Sequence, residues 1–192
     1  MEGDGVDDGE LLRAHAAGEA QAFARLYDRY DRQSFSFIRR LLGASHADAA
    51  EDLHQETWLA VSKSAASFDA RKAGFRTWLF TIARRKVLDH LRREKVVVVS
   101  ADPDEAAMTV RDPGPNPAQQ VESRQLAERL VAVVEALPLE QRGAFVMFAD
   151  GGLSLEEIAT ASGVAVETAK SRLRYARARL RQALADEWAA HV

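Results

Sequence analysis

Four of the chain's five prolines fall between residues 100 and 117, in the stretch SADPDEAAMTVRDPGPNP. Proline lacks an amide hydrogen and fixes its own φ, so such a run cannot continue a helix or join the middle of a sheet. The stretch also has no apolar periodicity and too little apolar surface to fold alone, which makes residues 98–117 a flexible linker. The 192 residues must therefore fold in two small pieces, 19–97 and 118–192, behind an acidic segment at 1–18.

Both pieces read as helix. EAQAFARLYDRYDRQSFSFIRRLLG places Phe23, Leu26, Tyr27, Tyr30, Phe37, Ile38 and Leu41 at helical spacing and stops at Gly43. Ser45 is the expected cap of a second helix through ADAAEDLHQETWLAVSKSA, packed by Leu53, Leu59 and Val61, with Asp48 in its first turn. FRTWLFTIARRKVLDHLRRE forms a third, with a buried stripe of Trp78, Leu79, Ile82, Val87, Leu88 and Leu91. The β-prone run Val96–Val99 stands alone and reads as the helix end entering the linker. Beyond it, Asn116-Pro117 opens a helix through Leu137, Pro138 starts another ending at Asp150-Gly151-Gly152, and two more follow. The fold class is all-α: two small helical domains joined by a flexible Pro-rich linker.

Composition removes several classes of function. There is no cysteine, so disulfides and thiolate metal sites are excluded. The start, MEGDGVDDGELL, has neither the basic nor the apolar part of a signal peptide, and no apolar run reaches membrane-spanning length, so the expectation is a cytoplasmic protein without membrane insertion. No P-loop, HExxH or dinucleotide glycine motif appears. Glu51 and His54 make one Glu-x-x-His pair, but a di-iron bundle needs two such pairs. His54 reads as a surface or interface histidine, and the chain as no enzyme, with no metal and no cofactor.

The formal net charge of −3 hides strong segregation. Residues 1–10 hold five acids and no base, while VETAKSRLRYARARLRQAL holds Lys170, Arg172, Arg174, Arg177, Arg179 and Arg181 against Glu167. A second basic cluster covers Arg84, Arg85, Lys86, Arg92, Arg93 and Lys95. Two basic segments separated by acid indicate two contact surfaces for phosphates.

The last of these segments closes a motif. Ser154 and Glu157 have capping-box spacing, a turn containing Gly163 follows, and then the basic helix begins. Leu155, Ile158 and Ala159 from the first helix face Ala169, Leu173, Ala176 and Leu180 from the second, while Val164 and Val166 flank the turn. This is a helix-turn-helix, whose second helix enters the major groove. Glu167, Thr168, Lys170, Ser171, Arg172 and Arg174 then occupy the turns that reach bases, and Arg177, Arg179 and Arg181 suit phosphates.

In the first piece, Glu51, Asp52, Gln55 and Glu56 give one helix an acidic, amide-rich face fitted to a basic protein partner. Arg84, Arg85, Arg92 and Arg93 lie near Phe75, Trp78 and Phe80, a mixture suited to unpaired DNA bases. Trp78 fits the buried stripe equally well.

Taken together, AEDLHQETWLAV, FRTWLFTIARRKVLDHLRRE and LPLEQRGAFVMFADGGLSLEEIATASGVAVETAKSRLRYARARLR resemble, in order, the motifs of bacterial sigma factors of the extracytoplasmic-function type in the sigma-70 family. The resemblance covers residues 20–95 and 120–185. It implies a factor that directs core RNA polymerase to promoter DNA, often under an anti-sigma factor. It implies that Asp52, Leu53, Gln55 and Glu56 bind the polymerase. It places Arg76, Trp78, Arg84, Arg85, Asp89, Arg92 and Arg93 at the −10 strand. Glu167, Thr168, Lys170, Ser171, Arg172, Arg174 and Arg177 are placed at the −35 duplex. Two positions depart from the family pattern. Arg85 stands where asparagine is frequent, and Glu167-Thr168-Ala169 replaces Gly-Thr-Val. Glu167 suits either a bond from cytosine N4 or exclusion of phosphate.

A helix-turn-helix repressor would explain the second piece but leave the first without a task. Such a repressor binds a palindromic duplex alone, whereas a sigma factor needs core polymerase. A protein-only adaptor would show no salt-dependent DNA affinity. The acidic segments at 1–10 and 102–105 are expected to fold over the basic surfaces and suppress DNA binding by the free protein.

Overall fold

The computed structural model describes residues 6–98 and 129–190, and among these all regular structure is helical. Helix α1 (Asp8–Ala16) begins where the Asp7 carboxylate accepts from the Gly9 and Glu10 amides. Helix α2 (Ala20–Leu42) ends at Gly43, whose φ of 80° lets the chain turn back sharply. A 3-10 turn (Ala44–Ala49) leads into α3 (Ala50–Ser64), and α4 (Phe75–Val98) completes the first half. Ser45 does not cap α3. The 3-10 turn lies between them, so Ala49 takes the cap position without a side-chain bond.

In the second half, α5 covers residues 129–135, and α6 (Leu139–Ala149), α7 (Leu155–Ser162) and α8 (Val166–Ala190) follow. The expected linker at 98–117 and the start at Asn116-Pro117 lie outside the described residues, apart from Val98 at the end of α4.

Two apolar clusters hold these helices. One joins α1, the first turns of α2, α3 and the start of α4 around Leu12, Leu26, Val61 and Leu79. The other runs across both halves: Phe37, Ile38, Leu41, Phe80 and Val87 share it with Val134, Ala144, Met147, Leu153 and Ile158. The halves are thus packed against each other, with the α6 backbone at Gly143 close to Leu41 and Arg84. In α4 the buried side is Phe75, Leu79, Phe80, Ala83 and Val87; Trp78, Ile82, Leu88 and Leu91 are half-buried at its margins.

Candidate protein and nucleic-acid interfaces

On α3, Asp52, Gln55, Glu56 and Leu59 are exposed at positions i, i+3, i+4 and i+7, so they share one face. Leu59 is 57% exposed, which corrects its expected place in the core. Leu53 is 3% exposed, packed in the cluster that spans both halves. In this packing of the halves Leu53 lies inside that cluster and not on the exposed face of α3. Glu56 accepts a 2.9 Å bond from Lys86 of α4, and this bond holds its carboxyl below the usual range.

His54, expected at the surface, is 6% exposed. Its Nε2 lies 2.9 Å from the Ser34 hydroxyl and accepts from Trp58 Nε1 at 3.0 Å. Indole nitrogen can only donate, so this geometry requires His54 to be neutral with its proton on Nδ1. Burial lowers its pKa, partly offset by Asp31 at 3.7 Å. Sequence gave no sign of this network because Ser34 and His54 belong to different helices. Among the described residues no cluster of His, Asp and Glu has the arrangement of a metal site.

The α4 residues divide between two sides. Trp78, Arg85 and Arg92 are spaced by seven, and Asp89 lies one turn from Arg85, so these four share a face. Asp89 accepts from Arg92 at 2.9 Å, and its backbone carbonyl accepts from Arg93 Nε. Trp78 is half-buried, with its ring 5.1 Å from that of Phe68 and 6.2 Å from Phe75. Arg76 sits over the Tyr30 ring at 5.8 Å. Arg84 faces the C-terminal half instead, where its Nη2 donates to Glu140 Oε2 at 2.8 Å.

The helix-turn-helix forms as its sequence requires. Ser154 accepts from the Glu157 amide, Glu157 accepts from the Ser154 amide, and Gly163 ends α7 in the left-handed region at φ 65°. Ala169, Leu173, Ala176 and Leu180 bury the inner side of α8. Glu167, Thr168, Lys170 and Arg174 are exposed, Ser171 is half-buried, and Lys170 lies 3.4 Å from Glu167. Arg177 stacks over Phe148 at 4.3 Å, while Arg179 and Arg181 are exposed. Arg172 turns toward α6, with Nη1 2.9 Å from Glu140 Oε2. That Nη1 makes no hydrogen bond, so the contact is ionic.

Two acids near the start of the chain, Asp7 and Asp8, are engaged locally. Asp8 pairs with Arg29 at 2.8 Å and accepts from the Tyr30 hydroxyl, whose pKa is pushed up to about 12, mainly by burial and by that bond. Glu10 is exposed, and residues 1–5 and 102–105, which also belong to the expected acidic cover, lie outside the described residues.

An exposed acidic, amide-rich face on α3 in one half and a basic helix-turn-helix in the other make this a helical protein with two separate candidate contact surfaces. Comparison with known proteins makes the class specific. The family "Sigma-70 region 2" matches residues 26–96, and "Sigma-70, region 4" matches residues 127–180. The chain is 36% identical over 177 residues to the ECF RNA polymerase sigma factor SigM of Mycobacterium tuberculosis, covering 92% of this chain and 84% of the relative. It is 32% identical over 161 residues to the ECF sigma factor RpoE of Cereibacter sphaeroides, covering 84% and 85%. A similar solved structure is the sigma factor RpoE of Bartonella quintana in complex with the anti-sigma factor NepR. It has a TM-score of 0.68 and 27% identity, and covers 86% of this chain and 98% of that one. The chain belongs to the ECF branch of the sigma-70 family.

Proposed function

We propose that the protein directs core RNA polymerase to its promoters through two surfaces, one on each half. The N-terminal half docks on core polymerase through Asp52, Gln55, Glu56 and Leu59. It holds unpaired −10 bases with Trp78, Arg85, Asp89 and Arg92, assisted by Arg76, Arg84 and Arg93. The C-terminal half enters the −35 major groove with Glu167, Thr168, Lys170, Ser171 and Arg174, and grips phosphates with Arg177, Arg179 and Arg181. Arg172 acts through Glu140, setting the pose of α8 against α6. The protein works in the cytoplasm, performs no chemistry of its own, and is controlled by an anti-sigma factor, as the solved relative in complex with NepR suggests.

The observation that carries this reading is the exposed face of Asp52, Gln55, Glu56 and Leu59 on α3, within the region 2 match. A duplex-binding repressor has no use for it. The test is run-off transcription with purified core enzyme on genomic templates. The reading expects discrete, promoter-specific transcripts only when the protein is added, and none on any template refutes it.

A further inference from the structure

We propose that Glu167 and Lys170 act as one reading unit for a single C·G base pair in the −35 element. The inference rests on the sigma-factor reading for where α8 sits, and it names what the first turn of that helix selects.

Glu167 is the second residue of α8, and Lys170 lies nearly one turn on. Ala169 and Leu173 are buried on the inner side of the helix, so both charged side chains project outward, 81% and 61% exposed. The Lys170 ammonium donates to Glu167 Oε1 at 3.4 Å. The arginines that follow are engaged elsewhere: Arg172 turns to Glu140, Arg174 lies over the Tyr175 ring at 5.1 Å, and Arg177 over Phe148. The reading end of α8 therefore leads with a carboxylate and an ammonium held side by side. Folding gives little reason for this pair, because an exposed ion pair at such spacing adds little to helix stability. A carboxylate in the first turn suits the helix dipole, but an ammonium there gains nothing from it.

In the major groove a C·G pair presents the cytosine N4 donor next to the guanine O6 and N7 acceptors. The N4–H···O6 bond inside the base pair sets those two groups about 3 Å apart. That spacing matches the 3.4 Å between Glu167 Oε1 and Lys170 Nζ, with opposite polarity at each end. Glu167 accepts from N4 while Lys170 donates to O6 and N7. An A·T pair fits worse: the adenine N6 donor sits beside the N7 lone pair of the same base, which repels the second carboxylate oxygen. The pair also decides between the two roles open to Glu167. A carboxylate that served to keep phosphates away would stand unneutralised, and this one carries a cation at 3.4 Å.

The test is selection by core polymerase reconstituted with the full-length protein, from templates randomised through the −35 block. Wild-type protein should enrich C·G over any other pair at one position by roughly tenfold, the scale of one well-placed base contact. Glu167→Ala and Lys170→Ala should each reduce the preference at that same position to about twofold and leave the other positions unchanged. Glu167→Gln should move it to A·T, because an amide matches adenine N6 and N7. Relaxation at different positions in the two alanine variants, or an unchanged C·G preference in any of the three variants, overturns the pair. So does a uniform gain in affinity for all templates in Glu167→Ala, the result of a carboxylate that only repels phosphate. Each of these outcomes leaves the sigma-factor reading standing. Wild-type selection of no −35 block refutes that reading, and this proposal with it.

Discussion

Leu59→Ala separates the two roles that leucines play on α3. The Leu59 side chain is 57% exposed in the free protein and stands beside Asp52, Gln55 and Glu56. Full burial of a leucine side chain is worth about 1.5–3 kcal/mol, so covering the exposed portion on docking contributes roughly 1–1.5 kcal/mol. Alanine keeps part of that, and the expected loss is about 1 kcal/mol, or roughly fivefold in Kd for core polymerase. Folding should be nearly unaffected, within about 0.5 kcal/mol, because little packing is removed. Leu53→Ala is the contrasting case: at 3% exposure its loss leaves a cavity, with an expected cost of about 2–5 kcal/mol in stability. The assay pairs a polymerase titration with thermal melting of each variant. Wild-type polymerase affinity in Leu59→Ala would refute the docking face. A melting loss in Leu59→Ala as large as that in Leu53→Ala would refute the packing assignment.

On α8, Arg174→Ala should relax base preference at the −35 element, whereas Arg179→Ala should weaken holoenzyme binding to all promoters alike and reduce its salt slope by about one; competition binding at two salt concentrations distinguishes them. His54 titrates below its ordinary 6.5 on folding because it is buried, so in acid the unfolded chain takes up a proton that the folded chain refuses. Its stabilising effect is complete above pH 6.5 and falls as pH drops, by at most about 1.4 kcal/mol per pH unit, until the lowered folded value is passed. Urea unfolding at pH 7 and pH 5 should show this loss, and His54→Gln should reduce it. Gly163→Ala forces a β-carbon into the left-handed conformation at φ 65° and should cost about 1 kcal/mol, read as a lower melting temperature.

The helices were legible because their punctuation is local. Gly43, the Ser154–Glu157 box and Gly163 act within a few residues of themselves, and each ends or begins a helix where its chemistry demands. The stripe Ala169, Leu173, Ala176, Leu180 follows from helical spacing alone. Spacing also held the answer for Leu59, which is seven residues from Asp52, although its apolar character suggested the core. The short 3-10 turn that displaces Ser45 as a cap has no comparable periodic signature. His54 was harder still, since its burial depends on Ser34 from a separate helix. Least legible was the convergence of Arg84 and Arg172 on Glu140, residues far apart in sequence and joined only when the halves pack. Segregated charge along the sequence carried no information on which of the arginines face solvent and which, like Arg84 and Arg172, turn toward Glu140.

Selection of promoters from a randomised template pool by core polymerase reconstituted with this protein tests the central claim most directly. The account predicts enrichment of two short sequence blocks about 25 base pairs apart, and it predicts that both are required for run-off transcripts from the selected templates. It also predicts that Arg174→Ala relaxes only the upstream block and Arg85→Ala only the downstream one. Enrichment of a single palindromic site, recovered equally well without polymerase, would contradict it.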